Sequence, residues 1–108
     1  MSPYMFVESR DPFESRSFAM RCELAASLAR EGAAVTVFLV ENAVFAARDR
    51  APIAELAMLK KSGATVMADA LALRERGIDA HDISIHVQST GLDALVARLA
   101  DGAKALWS

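Results

Sequence analysis

Arg10, Asp11, Asn42 and Asp69 are the residues of this 108-residue chain whose types and positions could do chemistry. Each follows an apolar run that reads as a strand: residues 4–8 before Arg10 and Asp11, 34–40 before Asn42, and 64–68 before Asp69. In a parallel sheet, ligands bind beyond the carboxyl ends of the strands, so these positions, with Glu8 and Glu41, are where a site belongs. Asp69 could serve as acid/base or, with neighbouring carboxylates, as an oxygen ligand for a hard divalent cation; Asn42 and Arg10 could orient a small anion. Asp11 and Asp69 also stand where helices begin, and helix capping is the favoured reading of both over metal binding.

Other chemistries find less support. Cys22 falls in the third turn of an expected helix, on the face that carries Phe18 and Ala25, where a cysteine acts as a small hydrophobe; it reads as structural rather than nucleophilic. His81 and His86 are five apart, which does not place both on one helical face, and they read as loop residues. No glycine-rich turn follows any strand, so a nucleotide cofactor has no phosphate cradle and none is expected. There is no nucleophile elbow and no Ser-His-Asp order. A phospho-acceptor role for Asp69 lacks the acidic pair after the first strand and the late lysine.

The elements that must position these residues follow from the pattern of apolar side chains. Residues 4–8 form a short strand, and Asp11-Pro12-Phe13-Glu14 predicts a helix start, with an acidic cap and proline at the first helical position. That helix runs to Arg30 and is closed by Gly32. The near-continuous β-branched run 34–40 predicts a strand buried on both faces. Residues 43–50 read as irregular or a short helical turn, Pro52 opens a second helix to Lys61, 64–68 is a third strand, and Asp69–Arg76 is one or two helical turns ended by Gly77. Residues 83–87 alternate as a short strand would, yet their polar neighbours fit a loop equally. Thr90-Gly91-Leu92-Asp93 predicts a helix cap, Leu92, Leu95, Val96 and Leu99 form its stripe, and residues 104–107 are a last strand. Strands alternating with helices through short connections predict one three-layer α/β/α sandwich over residues 1–108, with a mainly parallel sheet of about five strands.

Composition narrows the partners. Twelve Lys+Arg against fourteen Asp+Glu leave a net charge of −2, which is not the footprint of a nucleic-acid binder. No apolar run approaches the roughly 20 residues of a membrane span, and no secretory pattern opens the chain, so a cytoplasmic protein is expected. One cysteine allows neither an internal disulfide nor a structural zinc site. Twenty-two alanines give a thin-walled core, and so small a domain is expected to gain from self-association.

The order of Leu28-Ala29-Arg30-Glu31-Gly32, Val35-Thr36-Val37-Phe38-Leu39-Val40, Asn42-Ala43-Val44, Leu59-Lys60-Lys61-Ser62-Gly63-Ala64-Thr65-Val66, Arg76-Gly77-Ile78 and Ser89-Thr90-Gly91-Leu92-Asp93-Ala94-Leu95 resembles the DsrE/DsrF-like (YchN-like) family, small α/β proteins related to sulfur relay. The resemblance covers nearly the whole chain. It implies a homo-oligomer, trimer or hexamer, a sulfur-relay or other protein partner, and a pocket after the third strand. Members active in sulfur transfer carry a cysteine eight residues before the glycine of the Arg-Gly step, and YchN-like members often add a second three residues later. Those positions here are Asp69 and Ala72, and neither can carry a persulfide. The resemblance therefore implies the fold, the oligomer and the pocket, but not the sulfur chemistry; an oligomeric subunit or binding module is expected, with an anion- or metal-binding enzyme using the Asp69 pocket as the alternative.

Overall fold

The computed structural model describes residues 3–50 and 52–108. Five strands, β1 (Tyr4–Glu8), β2 (Val35–Leu39), β3 (Thr65–Asp69), β4 (Gln88–Thr90) and β5 (Lys104–Trp107), form one sheet in the order β4-β3-β2-β1-β5, every pair parallel. Among the described residues the α-helices are α1 (Arg16–Arg30), α2 (Ala54–Ser62), α3 (Ala70–Glu75) and α4 (Leu92–Ala100). The described residues also form two 3-10 turns, Glu41–Ala47 and Ala80–Asp82. Among the described residues no helix is long and apolar enough to cross a membrane.

The strand order dictates how the helices are shared out. From β1 to β4 the chain steps in one direction across the sheet, so α1, α2 and α3 lie on one face; the step back from β4 to β5 puts α4 on the other. Alternation along each strand sorts the side chains accordingly. Phe6, Val35, Val37, Leu39, Val66 and Ala68 meet Phe18, Cys22 and Ala25 of α1, Leu56 and Leu59 of α2, and Leu73 of α3. Met5, Val7, Phe38 and Met67 meet Leu95 and Ala94 of α4. The sandwich thus has one full helical layer and one layer made of a single nine-residue helix.

Three local expectations are corrected, and the open reading of residues 83–87 is decided. The helix expected from Asp11 and Pro12 begins at Arg16 instead. Asp11 closes a turn: its Oδ1 accepts the Phe13 N–H at 2.9 Å, and its carbonyl accepts those of Glu14 and Ser15 at 3.1 and 3.0 Å. An Asx-type turn competes with capping for the same side-chain oxygen, and here it wins. Helix α2 starts two residues beyond Pro52, with Ile53 as its first flanking residue. The alternating stretch 83–87 supplies only an isolated antiparallel bridge from Ile83 to Arg48, and the strand is the polar segment Gln88–Thr90 that follows. Thr90 ends that strand, leaving Gly91 to flank α4 without a side-chain cap.

Candidate functional site

The carboxyl ends of the strands open onto two neighbouring cavities rather than one. Arg10, Asp11 and Asn42 line the first, about 380 Å³, together with Ser9, Glu14 and Glu41; its walls are mostly polar. Asp69 lines the second, about 420 Å³ and mostly apolar, with Leu92, Leu95 and Val96 of α4, Trp107 of β5, and Val40, Glu41 and Arg76. The four residues expected to form one cluster are therefore split, three against one. Glu41 stands in both linings, and its backbone adopts φ +48°, a left-handed conformation rare outside glycine. Arg76 also joins the two: it lines the Asp69 cavity, and its Nε donates to Asn42 Oδ1 at 3.0 Å.

Asp69 is the last residue of β3 and the residue flanking α3, and it is buried. Its Oδ2 accepts the Ala72 N–H at 3.3 Å, so the capping role read from the sequence is the one it takes. Because Met67 and Asp69 share one side of β3, the carboxylate lies toward α4, where Leu92 and Val96 wall the cavity. Among the described residues no three His, Cys, Asp or Glu side chains come close enough together to hold a metal ion.

Cys22 sits in the α1 face of the core, 1% exposed. Burial, reinforced by the negative charges of Glu8 and then Glu55, pushes its thiol up to about 12. At neutral pH such a group has roughly a thousandfold less thiolate than an unburied cysteine, and thiolate is what attacks sulfur.

Beside it lies a contact that the sequence did not disclose. Glu8, the last residue of β1, is 3% exposed and meets Arg21 of α1, Nε to Oε2 at 2.7 Å. The guanidinium also donates through Nη2 to the Leu106 carbonyl of β5 at 2.7 Å and lies over the Phe6 ring. One side chain thus ties α1, β1 and the edge strand β5. Burial raises the Glu8 carboxyl above its ordinary value, against the opposing hydrogen bond and charge of Arg21. The other missed residues are Arg76, Leu92, Val96 and Trp107. Trp107 had a signal: it ends the fifth strand, and the strand-end rule that found Asp69 applies there as well.

The DsrE/DsrF-like family model matches residues 3–107. The chain belongs to the DsrE/DsrF-like family. Among solved structures it is similar to the ychN protein of E. coli, with a TM-score of 0.87 and 22% identity over 100% of both chains. It is also similar to MTH1491 of Methanobacterium thermoautotrophicum, a protein of unknown function, with a TM-score of 0.78 and 20% identity over 100% of both chains. A third, BT1422 of Bacteroides thetaiotaomicron, gives a TM-score of 0.78 and 20% identity over 97% of this chain and 94% of that one. No curated protein matches. The α/β fold of this DsrE/DsrF-like chain is that of its structural neighbours, and the parallel five-stranded sheet agrees with the sequence reading.

Proposed function

We propose that this DsrE/DsrF-like chain is an oligomeric binding subunit, active in the cytoplasm, that does not itself relay persulfide. The observation carrying this reading is Asp69. At the position where the family resemblance places a cysteine, the chain has a carboxylate that holds the Ala72 N–H and lines a cavity of about 420 Å³. The one cysteine of the chain is in the core with its thiol pushed up to about 12, so it does not substitute. The cavity itself, apolar with a few convergent polar groups, is of the kind that holds a small ligand.

Incubation of the native chain with a persulfide donor, followed by intact mass spectrometry, tests the chemical half. We expect no gain of about 32 Da, one sulfur atom, in either the parent or Cys22→Ser. An adduct that disappears with Cys22→Ser would overturn the reading and make Cys22 the carrier.

Self-association is supported by α4. Leu92, Leu95, Val96 and Leu99 recur at spacings of three and four and share one face, of which Leu95 is buried while Leu92, Val96 and Leu99 remain exposed. An apolar helix face that the sheet covers only at Leu95 leaves a partly open apolar surface at the rim of the cavity, which suits a contact with another chain. Light scattering after size exclusion is expected to give a trimer or hexamer at micromolar concentration, and Val96→Asp a smaller species. A strict monomer of the parent chain removes the oligomer from the proposal.

A further inference from the structure

The Asp69 cavity has a charge pattern that selects among ligands. Its lining includes three carboxylates, Glu41, Asp69 and Glu75, and one guanidinium, Arg76. Arg76 is already engaged: Nε donates to Asn42 Oδ1 at 3.0 Å, Nη1 donates to the Ala72 carbonyl at 3.2 Å, and Nη1 lies 4.0 Å from Glu75 Oε1. It pairs with neither Asp69 nor Glu41. Asp69 is 8% exposed, yet only its Oδ2 has a hydrogen-bond partner. Among the described residues no buried polar side-chain atom lacks a partner, so Oδ1 is open to the cavity. A carboxylate this enclosed, with an unused acceptor oxygen, gains most from a cationic donor, because a charge-assisted hydrogen bond is about twice as strong as a neutral one. Trp107 on the wall adds a ring face, which attracts cations, and Leu92 and Val96 offer apolar surface for the rest of a ligand.

We propose that this cavity binds a small organic amine, with its ammonium group on Asp69 Oδ1 and its hydrocarbon body against Trp107, Leu92 and Val96. The proposal rests on the reading of the cavity as a binding site and names what that site takes. An anion of the same shape is disfavoured by the uncompensated carboxylates, and a neutral molecule forgoes the charge.

Trp107 is the one tryptophan of the chain and lines this cavity, so its fluorescence responds to what binds there. Hexylamine, hexan-1-ol and hexanoate, which share a hydrocarbon body and differ in head group, are titrated against the parent protein while Trp107 emission is followed. Hexylamine is expected to shift the emission saturably, hexan-1-ol at least about tenfold more weakly, and hexanoate not at all over the same range. Asp69→Asn keeps an acceptor for the Ala72 N–H and is expected to weaken hexylamine by about tenfold or more with circular dichroism unchanged. The comparison of the three probes on the parent chain decides the matter even if that variant does not fold. Equal binding of hexan-1-ol or hexanoate, or undiminished hexylamine binding by folded Asp69→Asn, overturns the amine and leaves the binding site standing. No response to any of the three overturns both.

Discussion

Replacing Arg21 by methionine is expected to destabilise the fold by about 3–5 kcal/mol, a large part of the 5–15 kcal/mol available to a typical domain. Methionine keeps much of the stem that packs near Phe6, so the loss is of the charged head. That head makes two bonds of 2.7 Å, one to Glu8 and one to the Leu106 carbonyl, and without it the Glu8 side chain, 4% exposed, holds an unpaired charge in the core. Urea unfolding at several pH values checks both the size and the cause. Because the folded-state carboxyl of Glu8 is raised above the value it has unfolded, the native state holds that proton more tightly. Ionised Glu8 therefore weighs against folding at high pH, and the burden lifts as pH falls through the raised folded value toward the unfolded one near 4.5. In Arg21→Met the two influences that hold the carboxyl down are gone, so its value climbs further. The gap between parent and variant should be full near pH 8 and narrower near pH 5, where a neutral carboxyl needs no cation. A gap of the same size at both values would mean that lost packing, not stranded charge, is responsible.

The second large effect is a gain. Asp69→Cys, made in the Cys22→Ser background, is expected to take up a sulfur and gain about 32 Da from a persulfide donor that leaves the parent unmodified. The introduced thiolate attacks the sulfane sulfur of the donor, forming a new S–S bond while the donor departs as its thiol. The position suits this: it ends β3, lines an open cavity and faces the Ala72 N–H at 3.3 Å, a donor that a thiolate can accept. Glu41 and Glu75 in the same lining oppose ionisation and Arg76 favours it, so the reaction should quicken with rising pH. Loss of the carboxylate cap costs about 1 kcal/mol, which leaves the chain folded. A thiol at this position that an alkylating reagent modifies but a persulfide does not would show that more than one residue separates this chain from sulfur transfer.

The parts of the fold that were legible in the sequence are those whose cause is local. β1, β2 and β3 are runs of buried apolar side chains, and such a run shows in the sequence whatever it pairs with. β4 is not of this kind: Gln88-Ser89-Thr90 is a polar edge segment of three residues whose strand character comes wholly from its pairing with β3. The start of α1 was misplaced because Asp11 and Pro12 suit a tight turn as well as a helix cap, and the choice depends on where the chain must arrive at Arg16. The candidate site divides in the same way. Asp69 was found by the rule of strand ends, whereas Leu92, Val96 and Trp107 reach its cavity only because the chain crosses back under the sheet before β5. The bond from Arg21 to Leu106 joins residues 85 apart and has no periodic signature.

The place of β5 beside β1 has a consequence for time as well as for shape. Tyr4 pairs with Val35 on one side and with Lys104 on the other, about 30 and about 100 residues away along the chain. Closing the longer loop costs about 1 kcal/mol more in chain entropy, so β5 is expected to join after β1, β2 and β3 have met. Contacts absent from the rate-limiting step govern how fast a fold is lost rather than how fast it forms. The Arg21 bond to Leu106 is therefore expected to act on the lifetime of the native molecule: weakening it should hasten unfolding and leave the speed of folding nearly as it was.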